Sequence, residues 1–509
     1  MNLVNEIDLD TMPQPYIESH PEWIDLYNYA WKIAAGNIRE CNGIRYMDCA
    51  WDTSRNFQWV WDTCFMTLYA RYSNGKFPGI TSLDNFYTYQ REDGFIAMTY
   101  DLNTGKTVYG ERINPPLFAW CEWEYFKTTG DYSRFSTVVP KIEKLMDWID
   151  ANRRSPSRKI RLPVKKETDC HNKEKDDTGT SYPFYFFVDC GSSGMDDSPR
   201  TPREPQAGHF FDWIDLSSQM VLSFRMLARM NTVLGQHEKN KYWCRRAEEL
   251  DNAINMELWC EKTGFYHDRS ACPNFVSTKT VASFWTILAG VAKEKKLESL
   301  IGYLKDEKTF NRPIPVPTLA ADDCNYCEDG TYWLGGVWAP TNYMIIRGLK
   351  SSGNEQLAYE IAIKYLKGLS ETFKSVKPHS LWESYCAEKP LPGRNAYDRA
   401  FVKSEFVGWT GIGPIAILIE NILGIELNAP QQQIDWAIRL TESHGIKNLK
   451  MGDITVDLDC KFTGNHPTTP LVSILANSNI TVNIIYQGYS TILSVEKNKL
   501  LYKEIKKIK

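Results

Sequence analysis

The sequence predicts a mainly α-helical protein: an (α/α)6 barrel, a toroid of six helical hairpins, followed by a small all-β module. Three observations carry this. Apolar residues recur at helical spacing about a dozen times between residues 21 and 423, mostly in pairs joined by short turns. Strands and helices do not alternate over that span, which argues against a parallel α/β sheet. Long loops fall on alternate connections, so six closed pairs would gather them at one end, around a pocket. After Asn428-Ala-Pro430 the period drops to two, in Ile454-Thr-Val-Asp-Leu-Asp-Cys460 and Ile480-Thr-Val-Asn-Ile-Ile-Tyr486. Residues 1–429 therefore read as a helical domain and 430–509 as a β-sandwich-like module that packs against it.

In chain order, a polar lead-in precedes Pro21–Ile33, where Trp23, Leu26, Tyr27, Ala30 and Ile33 form one helical face. A helix over Asn56–Ala70 is aromatic nearly all round, and a third covers Ile80–Gln90. Pro115 and Pro116 open Leu117–Thr129, which stops at Gly130, the expected asymmetry of helix ends. Asp131–Asn152 is its antiparallel partner. Ser155–Gly208 then breaks the pattern with a Pro-, Gly-, Lys- and Asp-rich insertion, long enough to be functional in a compact protein. Helices resume at Asp212–Leu234, Lys239–Trp259, Thr278–Ala292, Lys295–Lys305, Pro340–Leu349, Glu355–Thr372 and Lys403–Leu423, with further long loops at Asp306–Trp338 and Ser375–Ala400.

The net charge of −4 is spread along the chain, and only Lys497–Lys509 is locally basic, a solvated end. This excludes a nucleic-acid stripe. Thirteen cysteines, an odd number without framework spacing, suit free and mostly buried thiols in a reducing compartment. Cys324-Asn-Tyr-Cys327 lacks a second pair at zinc spacing, so no metal and no cofactor are expected. No run of 18 apolar residues predicts a membrane span, and the first residues carry no signal-peptide pattern. The expectation is a cytoplasmic protein as the chain stands, or a periplasmic one if a leader has been removed. The oligomeric state is not legible. The 17 Trp, 27 Tyr and 22 Phe exceed packing needs and suit a surface that stacks against sugar C–H faces.

The chemistry centres on Gly191–Arg200, GSSGMDDSPR, where Asp196 and Asp197 stand in a tight loop preceded by the aromatic run Tyr182–Phe187. An Asx turn or a helix cap would also use such residues. A second carboxylate, Glu383, lies in Ser380-Leu-Trp-Glu-Ser-Tyr-Cys386 on another long loop. Glycoside hydrolysis needs one protonated carboxyl and one ionised carboxylate on either side of the scissile bond. Aromatic stretches at Phe57–Asp62, Tyr332–Pro340 and Val407–Gly413 supply candidate walls, or simply core.

The ordered set FQWVWD, NPPLFAW, SGMDDSPR, WIDLSSQ, YWLGGVWAP, WESY and FVGWTGIG resembles glycoside hydrolase family 63 and its mannosylglycerate-hydrolase-like branch, and more distantly the trehalases. The resemblance runs from about Asn56 to Leu427. It implies the (α/α)6 barrel and an inverting, exo-acting hydrolase of α-linked glucosides or mannosides. It makes Asp196 the general acid and Glu383 the general base, with Asp197 a turn or orienting residue. Phe57, Trp61, Asp62, Asn114, Trp333, Trp338 and Trp382 would bind the carbohydrate. Two departures stand out: Asn114 replaces a Gln, and Leu334-Gly335-Gly336 replaces Arg-Gly-Pro, removing a donor fork suited to a carboxylate. The alternatives are a sugar epimerase on the same barrel, which would need paired bases such as His209 and His379, and a non-catalytic carbohydrate binder.

Overall fold

The computed structural model describes residues 7–49, 52, 54–155, 183–201, 207–270, 276–463 and 466–505. Among the described residues, twelve α- or π-helices alternate between two layers. The outer ones are α1 (Pro21–Gly36), α3 (Asp84–Thr88), α5 (Phe135–Asn152), α7 (His237–Glu257), α9 (Glu294–Lys305) and α11 (Glu355–Ser375). The inner ones are α2 (Val60–Ala70), α4 (Phe118–Thr129), α6 (Ile214–Val233), α8 (Trp285–Leu288), α10 (Ala339–Ser351) and a closing π-helix, Gly413–Ile422. Sequence patterning sorts the layers. Every residue of α2 is buried, whereas α7 buries one stripe built on Trp243, Ala247, Leu250 and Ile254. Each inner helix packs on the next, and the turn Thr410–Ile412 that leads into the π-helix packs back on α2, which closes the ring.

Tertiary contacts override local pattern in several places. Asn56–Ala70 begins as the strand Phe57–Trp59 before turning into α2. Ile80–Gln90 is a 3₁₀ turn, Gly79–Leu83, followed by the short α3, and Thr278–Ala292 holds only Val281–Phe284 (3₁₀) and α8. Lys403–Leu423 is helical only from Thr410, because residues 403–406 are tied to the segment 381–383 instead: Glu383 N–H donates to Lys403 O and Phe406 N–H to Leu381 O. The Pro-to-Gly boundaries of α4 stand as read, with Gly130 at φ 74°.

The β region draws strands from outside residues 430–509. Gln14–Ile17, read as lead-in, pairs with His444–Met451 and forms the edge of a five-stranded sheet. Ile425–Asn428 pairs with Gln433–Ile438 in a four-stranded one. The period-two segment Ile480–Tyr486 alternates buried and half-buried residues. Leu501–Glu504, within the stretch read as a solvated basic end, is a strand paired with Leu471–Ile474; residues 506–509 lie outside the described residues. Gly452 N–H donates to Thr128 O at the end of α4, and Asn74, just past α2, donates to Asn448 O. The sheets thus sit on the C-terminal ends of the inner helices.

That same end holds a buried charge network. Arg71, capping α2, lies 2.6 Å from Glu124 of α4 and 2.6 Å from Glu420 of the π-helix. Arg347 of α10 lies 3.3 Å from Glu124 and 3.1 Å from Glu420, and also pairs with Glu426. The Tyr72 and Tyr343 hydroxyls donate to Glu420 Oε1. Four inner helices are joined by groups that have no water to fall back on. Breaking such a network by removing one partner costs about 3–5 kcal/mol. Arg71→Met is expected to lower the urea midpoint accordingly, with the m-value retained. A loss below about 1 kcal/mol, the size of a surface pair, would show that the network does not hold the ring.

Candidate active site

At the opposite end, loops before and between the inner helices converge. The first runs from Asp189 to Arg200. Its opening is a 3₁₀ turn, Gly191–Ser193, in which Asp189 Oδ1 accepts both Ser192 N–H and Ser192 Oγ–H at 2.8 Å. Gly194 follows at φ 79°, with the Trp61 indole against it. A Cβ there would come within 3.1 Å of that ring, so both the backbone and the packing call for glycine. Asn114 Nδ2 donates to Ser192 O at 3.0 Å, tying the loop to the segment before α4. The far end is clamped by Arg200, which is 1% exposed. Its guanidinium donates to both oxygens of Asp215 (2.6 and 2.9 Å) and both oxygens of Asp268 (2.6 and 2.7 Å), and stacks over Trp213. Asp268 also accepts Ile214 N–H, so one arginine fastens the loop to the start of α6.

Between these anchors the adjacent aspartates part. Asp197 is buried, and its Oδ1 accepts the Trp333 N–H at 2.9 Å. It orients a neighbouring loop. Asp196 keeps an exposed face. Glu383 is 5% exposed and sits on the second loop, fixed by its own backbone: Glu383 N–H donates to Lys403 O, and the Trp409 indole N–H donates to Glu383 O, both at 2.9 Å.

Tyr332 joins the two carboxyls. Its hydroxyl lies 3.4 Å from Asp196 Oδ2 and 3.3 Å from Glu383 Oε1. The residue sits at φ 33°, a left-handed conformation that is costly for a tyrosine. It is held there by its surroundings. Tyr332 O accepts Gly336 N–H (3.1 Å) and the Trp338 indole N–H (3.0 Å), and the Trp338 ring packs edge-on against it. A Cβ at Gly336 would stand 2.2 Å from Tyr332 O, and a proline there would lack the N–H, so this turn is specific to Leu334-Gly335-Gly336.

The electrostatics follow from crowding. Protein packed around Asp196, and then the neighbouring Asp197 charge, push its carboxyl up to about 7, against the pull of the Tyr332 hydroxyl. Burial pushes Glu383 to about 7, with Asp196 repelling it and Lys403 opposing the rise. Asp62, in the first turn of α2, reaches about 8 through burial, with Glu383 adding repulsion and a hydrogen bond from Cys49 acting the other way.

Of the residues expected at the site, Glu383 thus comes within electrostatic reach of both Asp196 and Asp62. Trp61 lies under the acid loop and Asn114 braces it. Trp333 and Trp338 are each 1% exposed and stack at 4.2 Å as a buried support for Tyr332. Trp382 is buried with its ring edge-on to Phe401. Phe57 is half-buried on its strand beneath Arg55, and no described hydrogen bond or ring contact joins it to the carboxyls. His209 packs on Phe186, and His379 bonds Phe373 O near the end of α11, so the two do not form a base pair. Tyr182 lies outside the described residues. Sequence reasoning passed over Tyr332, Trp409 and Arg200, although each stands inside a quoted motif. For Asp268, in no motif, there was no signal.

The family description "Mannosylglycerate hydrolase MGH1-like glycoside hydrolase domain" matches residues 55–389. The chain belongs to this family, and it is a glycoside hydrolase. An uncharacterized protein of Borreliella burgdorferi is 27% identical to this hydrolase over 398 residues, 76% of each chain. A trehalase of Apis mellifera is 22% identical over 346 residues, 60% of this chain and 52% of its own. Among solved structures, the GH63 mannosylglycerate hydrolase of Thermus thermophilus, in complex with glucose, aligns over 77% of the hydrolase and 99% of its own chain, at 17% identity and TM-score 0.59. The GH78 rhamnosidase of a Bacillus species aligns over 93% of the hydrolase and 43% of its own chain, at 14% identity and TM-score 0.65. These likenesses show the fold, and the wider coverage of the second takes in β strands as well as helices.

The raised carboxyls make stability depend on pH in a definite sense. Each group binds its proton more tightly folded than unfolded, so its burden is absent below the ordinary carboxyl pKa. That burden grows as pH rises toward 7–8, where the unfolded chain is ionised and the folded one is not. Asp62→Asn is therefore expected to raise the melting temperature relative to wild type at pH 8 and to have little effect at pH 4. Equal shifts at both pH values would contradict the environment described for Asp62.

Proposed function

We propose that this hydrolase is an inverting, exo-acting α-glycosidase cleaving α-linked glucosides or mannosides, with Asp196 as general acid and Glu383 as general base. The observation that carries the reading is the Tyr332 hydroxyl, within reach of one oxygen of each carboxyl. It puts two crowded acids on either side of a single spot. Those two oxygens, 3.4 and 3.3 Å from one hydroxyl, leave room for a small molecule between the acids. A separation of about 6.5–9.5 Å is what admits a water for inversion, against about 5–5.5 Å in retaining enzymes.

Two acids with similar pKa values that repel each other hold one proton between them around neutrality. Asp197 and Asp189 add negative charge beside Asp196, and Lys403 adds positive charge beside Glu383. The proton therefore resides on Asp196. As the bond from the anomeric carbon to the glycosidic oxygen breaks, Asp196 donates that proton to the oxygen and leaves as a carboxylate. A water attacks the anomeric carbon from the opposite face and gives its proton to Glu383. The products are a β-configured sugar and the aglycone alcohol.

Asp62, Trp61 and Asn114 are assigned to the pocket that takes the non-reducing sugar, with Phe57 and Trp382 at its margin and Trp333 and Trp338 as its backing. Leu334 stands where the family commonly carries arginine, so neutral glycosides are favoured over carboxylate-bearing ones. Residues 1–429 are proposed as the catalytic unit and 430–509 as the module bracing the far end of the ring.

The test is sugar release from α-glucosides and α-mannosides, with proton NMR of the anomer first formed. Wild type should release the β-anomer, and Asp196→Asn and Glu383→Gln should each lose about 10²–10⁴-fold in kcat. Retained configuration would overturn the mechanism, and active variants would overturn the site. Tyr332→Phe is expected to lower kcat about tenfold and to shift both limbs of the pH–rate bell to higher pH, since the hydroxyl stabilises both carboxylates.

A further inference from the structure

A hairpin formed by residues 392–403 is hydrogen-bonded to the backbones of both Glu383 and Tyr332. Glu383 N–H donates to Lys403 O, and Tyr332 N–H donates to Arg394 O, each at 2.9 Å. The two arms pair across Arg394 and Phe401, and Val402 N–H donates to Gly393 O. The turn between them is built rather than loose. Asn395 N–H donates to Ala400 O, the Asn395 side chain accepts Tyr397 N–H, and Arg394 Nη1 donates to Arg399 O. Arg399 Nη2 ties the turn to Asp329 at 2.7 Å, beside the Tyr332 loop.

This arm displays aromatic surface that folding does not use. Tyr397, at the tip, is 94% exposed, and Phe401 is 40% exposed. Large apolar groups held open on a braced turn cost solvation without contributing to the core. In an extended arm alternate residues share a face, so Phe401 lies on the same side as Lys403, whose charge acts on Glu383. Phe401 also meets the edge of Trp382, the residue next to the base. Phe401 thus joins the exposed arm to the segment that carries Glu383.

We propose that Phe401 and Tyr397 form an aglycone subsite: a stacking surface for the sugar on the reducing side of the scissile bond. The substrate class is then an α-linked oligosaccharide rather than a glycoside of a small alcohol. An exo-acting enzyme holds the non-reducing sugar in its pocket, so the rest of the chain must leave past the rim, where this hairpin stands. Aromatic rings bind the C–H faces of a pyranose with little demand on linkage.

This inference rests on the glycosidase reading, and two substrates separate the two claims. An α-glycosyl fluoride presents a one-atom leaving group, whereas the α-linked trisaccharide of the same sugar carries an aglycone that reaches the rim. In the Phe401→Ala/Tyr397→Ala double variant, the ratio of kcat/KM for the trisaccharide to that for the fluoride should fall about tenfold, through KM. Equal losses on both substrates would mean that the hairpin only supports Glu383, and would overturn the subsite. An unaltered ratio with unaltered rates would assign the exposed rings to some other occupant, a protein surface included, and would overturn it equally. A wild-type enzyme that hydrolyses neither substrate would fail the glycosidase reading itself, and the subsite with it.

Discussion

The closed ring of inner helices is the constraint on which the rest of this hydrolase depends. The residues that begin these helices meet at one end, and those that finish them meet at the other, so the helices run parallel. Arg71, Glu124, Arg347 and Glu420 come from four different helices and satisfy one another only when the ring is shut. A buried pair of this kind is weak evidence for stability in itself, but it is intolerant of a missing partner. The β sheets rest on this end, which leaves the other to loops.

At that other end the same physics is turned to chemistry. Asp196, Glu383 and Asp62 are crowded by the protein packed around them and by neighbouring carboxyls, with Lys403 offsetting only part of the rise at Glu383, so their protons are held into the neutral range. The contrast with Asp215 and Asp268 is instructive. Those carboxylates are buried, but Arg200 saturates them with four hydrogen bonds and they hold a loop. One set of acids is neutralised by a guanidinium and becomes architecture. The other keeps its protons into the neutral range and is the set to which the proposed chemistry is assigned. The strained Tyr332 turn belongs with the second set, its unfavourable backbone compensated by the tryptophan stack behind it.

The departures from the family pattern are coherent when taken together. Gly336 supplies an N–H and an absence of Cβ, and both are needed for Tyr332 to reach the carboxyls by this route. Leu334 removes a charge from the same turn. The site is therefore built on ring faces and hydroxyls more than on ion pairs, which agrees with a neutral carbohydrate as its occupant.

The helical toroid, the change of period near residue 430 and the two loops that carry Asp196 and Glu383 were all legible in the sequence. Apolar periodicity and turn chemistry are local properties, and the motif order is written along the chain. What only the tertiary structure decided involves partners far apart in sequence. The stretch 403–406 looked helical and is not, because pairing with residues 381–383 outweighs its own preference. Gln14–Ile17 looked like a polar leader and is a strand, because its partner lies more than 400 positions away. Trp333 and Trp338 look like a sugar-binding wall in a list of aromatics, but they are buried as backing, and half-buried Tyr332 is the one that faces the carboxyls. Which member of an aromatic run faces the cleft depends on a turn whose geometry is set by Gly336 and Asp197 together, and no local pattern encodes that meeting.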